Sequence, residues 1–215
     1  MKGDIINVEE HHRQAADRIV EHFHDAIVRS PVTYLFTVSG ESGSGKSETA
    51  TALAEALADR DLNAFIFQQD DYFVLPPKSN DAKRREDISW VGTQEVRIDL
   101  LDEHMAAARR GVTPITKPLV IYDEDRITTE EVDLSGYPVC IAEGTYTTLL
   151  NNADTRIFIA RTRQDTLESR KKRGREPIDE FVERVLEIEH EIISPHRERA
   201  DVIITRDYDV TFATS

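Results

Sequence analysis

The apolar positions of this chain follow two different periods. Between residues 8 and 29 they recur at Ala16, Ile19, Val20, Phe23 and Ile27, a stripe that predicts one amphipathic helix ending at Ser30-Pro31. Tyr34-Leu35-Phe36-Thr37-Val38 is instead a continuous β-branched and aromatic run, the composition of a buried strand. Runs of the same kind return at 64–67 (AFIF), 136–144 (GYPVCIAEG), 155–160 (TRIFIA) and 200–205 (ADVIIT). Between them the helical period reappears. Residues 48–57 are rich in Ala, Leu and Glu, and 99–110 line up Leu100, Leu101, Met105 and Ala108 before Gly111. Residues 178–193 turn Phe181, Val182, Val185 and Ile192 inward. Residues 112–126, with Pro114 and Pro118, read as short strands with a turn, and 76–87 as a polar, mobile loop. Strands alternating with helices predict an α/β fold: a five-stranded parallel sheet with helices on both faces.

The junction between the first strand and the next helix carries the strongest chemical signal. Gly40 to Ser47 reads GESGSGKS, which fits G-x-x-x-x-G-K-[ST]. In such a loop the glycines let backbone N–H groups turn toward a polyphosphate. Lys46 reaches the outer phosphates and the Ser47 hydroxyl can hold Mg²⁺. Strand, glycine loop and helix also aim a helix N-terminus at the anion. The expected fold is therefore that of a P-loop NTPase. The nucleotide-binding residues are Gly40, Glu41, Ser42, Gly43, Ser44, Gly45, Lys46 and Ser47, with Glu48 beside them.

Composition narrows the class. The chain has 215 residues, the length of one α/β domain, and 39% hydrophobic content without an apolar run long enough to span a bilayer. The start, MKGDIINVEEHH, resembles neither a secretory signal nor a transit peptide, so a cytoplasmic protein without membrane partners is expected. Cys140 is the one cysteine, which excludes an internal disulfide and a cysteine zinc site. His11, His12, His22 and His24 lack partners at zinc spacing and read as solvated or capping residues. A net charge of −14 argues against nucleic-acid binding through phosphates. Against that background, Arg161 to Arg175 holds seven basic residues beside only Asp165 and Glu168. A basic island in an acidic, phosphate-binding protein is expected to face the phosphates, unless it is a solvated helix face.

Carboxylates stand where the chemistry would want them. Gln68-Gln69-Asp70-Asp71-Tyr72-Phe73 follows the second strand, at the sheet end where α/β proteins place ligands and where phosphoryl transfer needs a base. A turn or helix cap is the alternative role for these aspartates. Glu143 ends the third strand, placed to meet a Mg²⁺ ion from the side opposite Ser47.

GESGSGKS, QDDYF, YDEDR, AEGTY, KKRGRE and the terminal ADVII occur together in the order of a known family. The chain resembles the uridine kinase/phosphoribulokinase branch of the P-loop kinases from about residue 33 to 206. That leaves 1–32 as a separate N-terminal helix and 33–215 as the kinase domain, with a mobile basic lid at about 163–177. The resemblance implies ATP and Mg²⁺ as cofactors, with Ser47 and Glu143 at the metal. It makes Asp70 the residue that activates the acceptor hydroxyl. Arg173 and Arg175 match the R-G-R of a lid that closes over ATP, and Arg170 lies one helical turn earlier. Asp70, Lys46, Arg170 and Arg173 are thus the expected catalytic set. Asp70, Tyr72, Tyr122, Arg126 and Trp90 are the expected acceptor-binding set, Trp90 as a stacking surface or as packing.

Two stretches depart from the uridine kinase pattern: SWVGTQEVRID at Ser89–Asp99, and a shortened YDEDR without a histidine. The expected reaction is Mg²⁺-ATP-dependent transfer to a hydroxyl of a small molecule, a nucleoside such as uridine or cytidine first. A vitamin or sugar-type acceptor (nicotinamide riboside, pantothenate or a polyol) is the runner-up, and a non-catalytic nucleotide-binding regulator the third reading. A regulatory GTPase is disfavoured, because Asn151-Asn152-Ala153-Asp154 lacks the lysine of N-K-x-D. Asp133-Leu134-Ser135-Gly136 fits D-x-x-G but precedes its strand and reads as a turn. Family members are often oligomeric, so a homo-oligomer is left open by analogy.

Overall fold

A computed structural model describes residues 6–167 and 179–213. In chain order the elements are α1 (Glu10–Arg29), β1 (Tyr34–Gly40), α2 (Lys46–Ala58), β2 (Ala64–Gln68), α3 (Pro77–Glu86), α4 (Ile98–Arg109), β3 (Ile115–Ile121), β4 (Arg126–Val132), β5 (Val139–Glu143), β6 (Thr155–Ile159), α5 (Glu180–Ile193), β7 (Val202–Ile204) and β8 (Val210–Phe212). Short 3₁₀ turns join several of them, including Gln69–Tyr72 directly after β2.

The main sheet has six strands in the order β2-β5-β1-β6-β7-β8. The five expected strands are all present and parallel, and β8 adds an antiparallel edge on β7. β8 (VTF) buries only Val210 fully and lacks the continuous apolar run that marks β7 (VII). β3 and β4 form a separate two-stranded hairpin, so the strands expected in 112–126 extend to Val132.

Alternation along the strands explains the layers. On β1, Tyr34, Phe36 and Val38 face one core while Leu35 faces the other. On β5, Val139 and Ile141 oppose Cys140 and Ala142 in the same way. A buried sheet covered by helices on both faces needs this two-sided apolar pattern. α1 and α2 cover the first face, with Ala16, Ile19 and Val20 of α1 packed into the same cluster as Leu53 and Leu57 of α2. Leu101 and Met105 of α4 and Ile193 of α5 cover the second.

The polar segment 76–87 is mostly a helix, not a loop. Pro77 sits in its first turn, where a missing N–H is harmless. Asp125, in the turn of the β3–β4 hairpin, accepts from the N–H groups of Lys78 and Ser79 and so caps α3 from outside. Arg84 then ties the helix to Glu95 and Glu189. Long-range polar contacts hold α3, and they leave no apolar stripe to read. Asp133 does form the expected turn, accepting from Ser135 N–H and the Thr113 hydroxyl.

Candidate active site

β1 lies between β5 and β6, so its carboxyl end opens into the crevice where open α/β sheets bind ligands. The loop leaving Gly40 occupies that position and runs into the N-terminus of α2. Gly43 (φ 76°) and Gly45 (φ 99°) are left-handed, a conformation that costs little only without a side chain. Lys46 Nζ donates to the Glu41 carbonyl at 2.9 Å, held across the loop it serves.

Register brings the carboxylates to the same end. Val38 of β1 and Gln68 of β2 both pair with Glu143 on β5. Glu143 therefore lies beside the phosphate loop, and Asp70 follows two residues after Gln68. The Ser47 hydroxyl donates to Glu143 Oε1 at 3.2 Å. Burial, and then the nearby Asp70 charge, push the Glu143 carboxyl up to about 7, against the opposing pull of Lys46 and the Ser47 hydroxyl. A hydroxyl and a carboxylate are hard oxygen donors that suit Mg²⁺. A carboxylate raised by a second carboxylate is a place a divalent cation would relieve. Among the described residues no three His, Cys, Asp or Glu side chains form a metal cage. Mg²⁺ in phosphoryl-transfer sites takes one or two protein oxygens and completes its shell with phosphates and water, so Ser47 and Glu143 fit it.

The loop after β5 is fixed by Gln69, whose Oε1 accepts from the Tyr146 N–H at 2.7 Å. A Cβ on Gly144 would stand 2.2 Å from Gln69, so glycine alone lets the two segments close up. Asp71, next to Asp70, turns the other way. It accepts from Lys117 Nζ and from the Val120 N–H, both at 2.9 Å, and Lys117 also pairs with Glu130. This buried contact ties the hairpin to the turn that carries Asp70.

The acceptor-side expectations fare unevenly. Tyr72 does not line the cleft. Its ring is fully buried in the second core and its hydroxyl meets His104 Nδ1 at 2.8 Å. The 3₁₀ turn after β2 carries Tyr72 into that core. Trp90 is half-buried and its indole N–H donates to Asn80 Oδ1, so one edge is committed to α3. Tyr122 and Arg126 stand at the hairpin turn, where Arg126 is exposed and pairs with Glu124. Arg170, Arg173 and Arg175 lie outside the described residues.

Further side chains brace the loop. Glu41 is buried, with Oε2 accepting from the Arg163 N–H and Oε1 meeting His190 Nδ1, each at 2.6 Å. It joins the phosphate loop to the segment entering 163–167 and to α5. Behind the loop, His12 and Tyr208 press on Gly45. The Asp70-Asp71 doublet was the one sequence signal for the Lys117 contact. Nothing in the sequence marked His190 or Tyr208.

Comparison with known proteins gives the family and the fold. The family described as "Phosphoribulokinase / Uridine kinase family" matches residues 35–213. The chain is 30% identical over 190 residues to a bifunctional alpha-galactosidase/sucrose kinase of Mediterraneibacter gnavus. The match covers 82% of this chain but only 20% of that protein, so the chain spans about a fifth of that relative's length. Among solved structures, it is similar to a possible uridine kinase from Bacillus stearothermophilus (TM-score 0.65, 17% identity, 89% of this chain and 97% of that one). It is also similar to phosphoribulokinase from Rhodobacter spheroides (TM-score 0.61, 13% identity, 82% and 71%).

Proposed function

This chain belongs to the phosphoribulokinase/uridine kinase family of ATP-dependent kinases, and from that footing we propose that it phosphorylates a hydroxyl of a sugar-type polyol. The observation that carries the chemistry is the meeting of Lys46, Ser47, Glu143 and Asp70 at one end of the sheet. Phosphoryl transfer asks a protein mainly for positioning and charge neutralisation, and these four residues supply both. The loop N–H groups and Lys46 hold the phosphates. Ser47 and Glu143 hold Mg²⁺, which when bound screens the charge of the transferring group. Asp70 orients the acceptor hydroxyl and takes its proton. The hydroxyl oxygen bonds to the γ-phosphorus, and the bond from phosphorus to the β,γ-bridging oxygen breaks with its electron pair leaving on ADP. Arg170, Arg173 and Arg175 enter this reading as lid residues on the strength of the sequence alone.

A sugar-type acceptor is favoured over the nucleoside expected from the resemblance because the relative at 30% identity carries sucrose kinase in its name. The test is ADP release from Mg²⁺-ATP with sucrose, fructose, glycerate, uridine or cytidine, each against a control without acceptor. Release with a sugar or sugar acid alone supports the proposal. Release driven by the pyrimidine nucleosides, with none from the sugars, overturns the acceptor assignment and keeps the kinase.

A further inference from the structure

α1 precedes the segment matched by the family, which begins at residue 35, yet its first turn touches the phosphate loop. His12 is buried, and its Nδ1 accepts from the Glu9 N–H at 3.0 Å. That bond fixes the tautomer: Nδ1 is bare, so in the neutral ring Nε2 carries the proton. Nε2 faces the Tyr208 hydroxyl at 3.2 Å and therefore donates to it. Arg161 also donates to that oxygen, at 2.7 Å. The Tyr208 oxygen accepts twice, which leaves its own proton for the Ser44 carbonyl, 3.4 Å away. The peptide that receives this contact joins Ser44 to Gly45, inside the phosphate loop.

Two further observations show that the contact is tight. A Cβ at Gly45 would stand 2.8 Å from the Tyr208 hydroxyl and 3.1 Å from His12 Nε2. Tyr208 itself is held at φ 66°, a region a bulky residue occupies only where its surroundings dictate it. His11 closes the cluster, its ring 3.9 Å from that of Tyr208.

We propose that His12 is a positioning residue for nucleotide binding, acting through Tyr208 to hold the Ser44–Gly45 peptide in its phosphate-cradling conformation. The N–H groups that meet a phosphate must be oriented before it arrives, and a loop rich in glycine does not orient itself. The helix outside the family match therefore preorganises the loop from behind. This inference rests on the reading of the loop as a nucleotide site.

The two ring nitrogens can be separated by substitution. His12→Asn places an acceptor near Nδ1 and loses the donor at Nε2, while His12→Gln keeps a donor near Nε2 and loses the Glu9 contact. Mg²⁺-ATP binding to the full chain is measured by calorimetry without an acceptor, beside thermal unfolding. His12→Asn and Tyr208→Phe are expected to weaken Mg²⁺-ATP by about fivefold or more, the size of one lost hydrogen bond. The double variant should be no weaker than about twofold beyond either single one, since both break one chain of contacts. His12→Gln should bind within about twofold of the parent chain even if it unfolds earlier. Equal Mg²⁺-ATP affinity in folded His12→Asn and Tyr208→Phe would overturn the proposal, as would a loss in His12→Gln as large as in His12→Asn. A parent chain that does not bind Mg²⁺-ATP would overturn the nucleotide-site reading and this inference with it.

Discussion

The Ser47 hydroxyl and the Glu143 carboxylate meet at 3.2 Å, although 96 residues separate them in the chain. Strand order makes the contact: β5 lies directly beside β1, so the residue ending one strand faces the loop that leaves the other. A hydroxyl and a buried carboxylate held together in this way are two hard oxygen donors, the kind that Mg²⁺ takes into its six-coordinate shell.

Lys46 is the only cationic residue of the loop Gly40–Ser47, and in the proposed reaction it follows charge as it moves onto the phosphates. Lys46→Ala is expected to lower kcat by about 10²–10³, the usual loss when one preorganised donor to developing charge is removed. Steady-state kinetics with saturating acceptor check it, and a loss below about threefold would reassign the lysine.

Lys117 and Asp71 are both almost fully buried and bonded to each other. Lys117→Met leaves the Asp71 carboxylate without its cation, and breaking a buried pair from one side costs about 3–5 kcal/mol. Urea denaturation should show a loss of that order. Turnover of the remaining folded enzyme should also fall, because the pair anchors the turn that carries Asp70. A loss under about 1 kcal/mol would mean the hairpin holds its place without this contact.

His12 should make stability depend on pH. Burial first, then the positive charges of His11, Arg161 and Arg13, lower its pKa from 6.5 to about 4, against the Glu9 backbone contact. The unfolded chain therefore binds the proton more readily than the folded one. This contribution is fully present above pH 6.5 and is lost as pH falls from there toward 4, by about 3 kcal/mol in all. Denaturation of the parent chain and of His12→Gln across that window measures it. The parent should lose the more stability on acidification, and parallel curves would contradict the assignment.

The five parallel strands were legible because each is a compact apolar run, a pattern local to the sequence. The phosphate loop was legible for a similar reason, since one octet carries the whole device. α3 was not, because Asp125 caps it from the hairpin and Glu95 and Glu189 hold Arg84 from two other elements. Tyr72 is expected at the acceptor from the family resemblance, and the 3₁₀ turn carries it into the second core instead. The sequence marks His12 as a capping or solvated residue, and its Nδ1 does cap. Its other nitrogen meets a tyrosine 196 residues away, a contact that no local pattern encodes.

The proposed reaction needs Asp70 as the base that takes the acceptor's proton. The most direct measurement is a single-turnover transfer from γ-labelled ATP to the acceptor found in the panel, for the parent chain and for Asp70→Asn. Mg²⁺-ATP affinity is measured on both in parallel. The prediction is unchanged affinity with transfer slowed by about 10²–10⁴, the range of a lost general base. Transfer at the parent rate in Asp70→Asn would contradict the assignment.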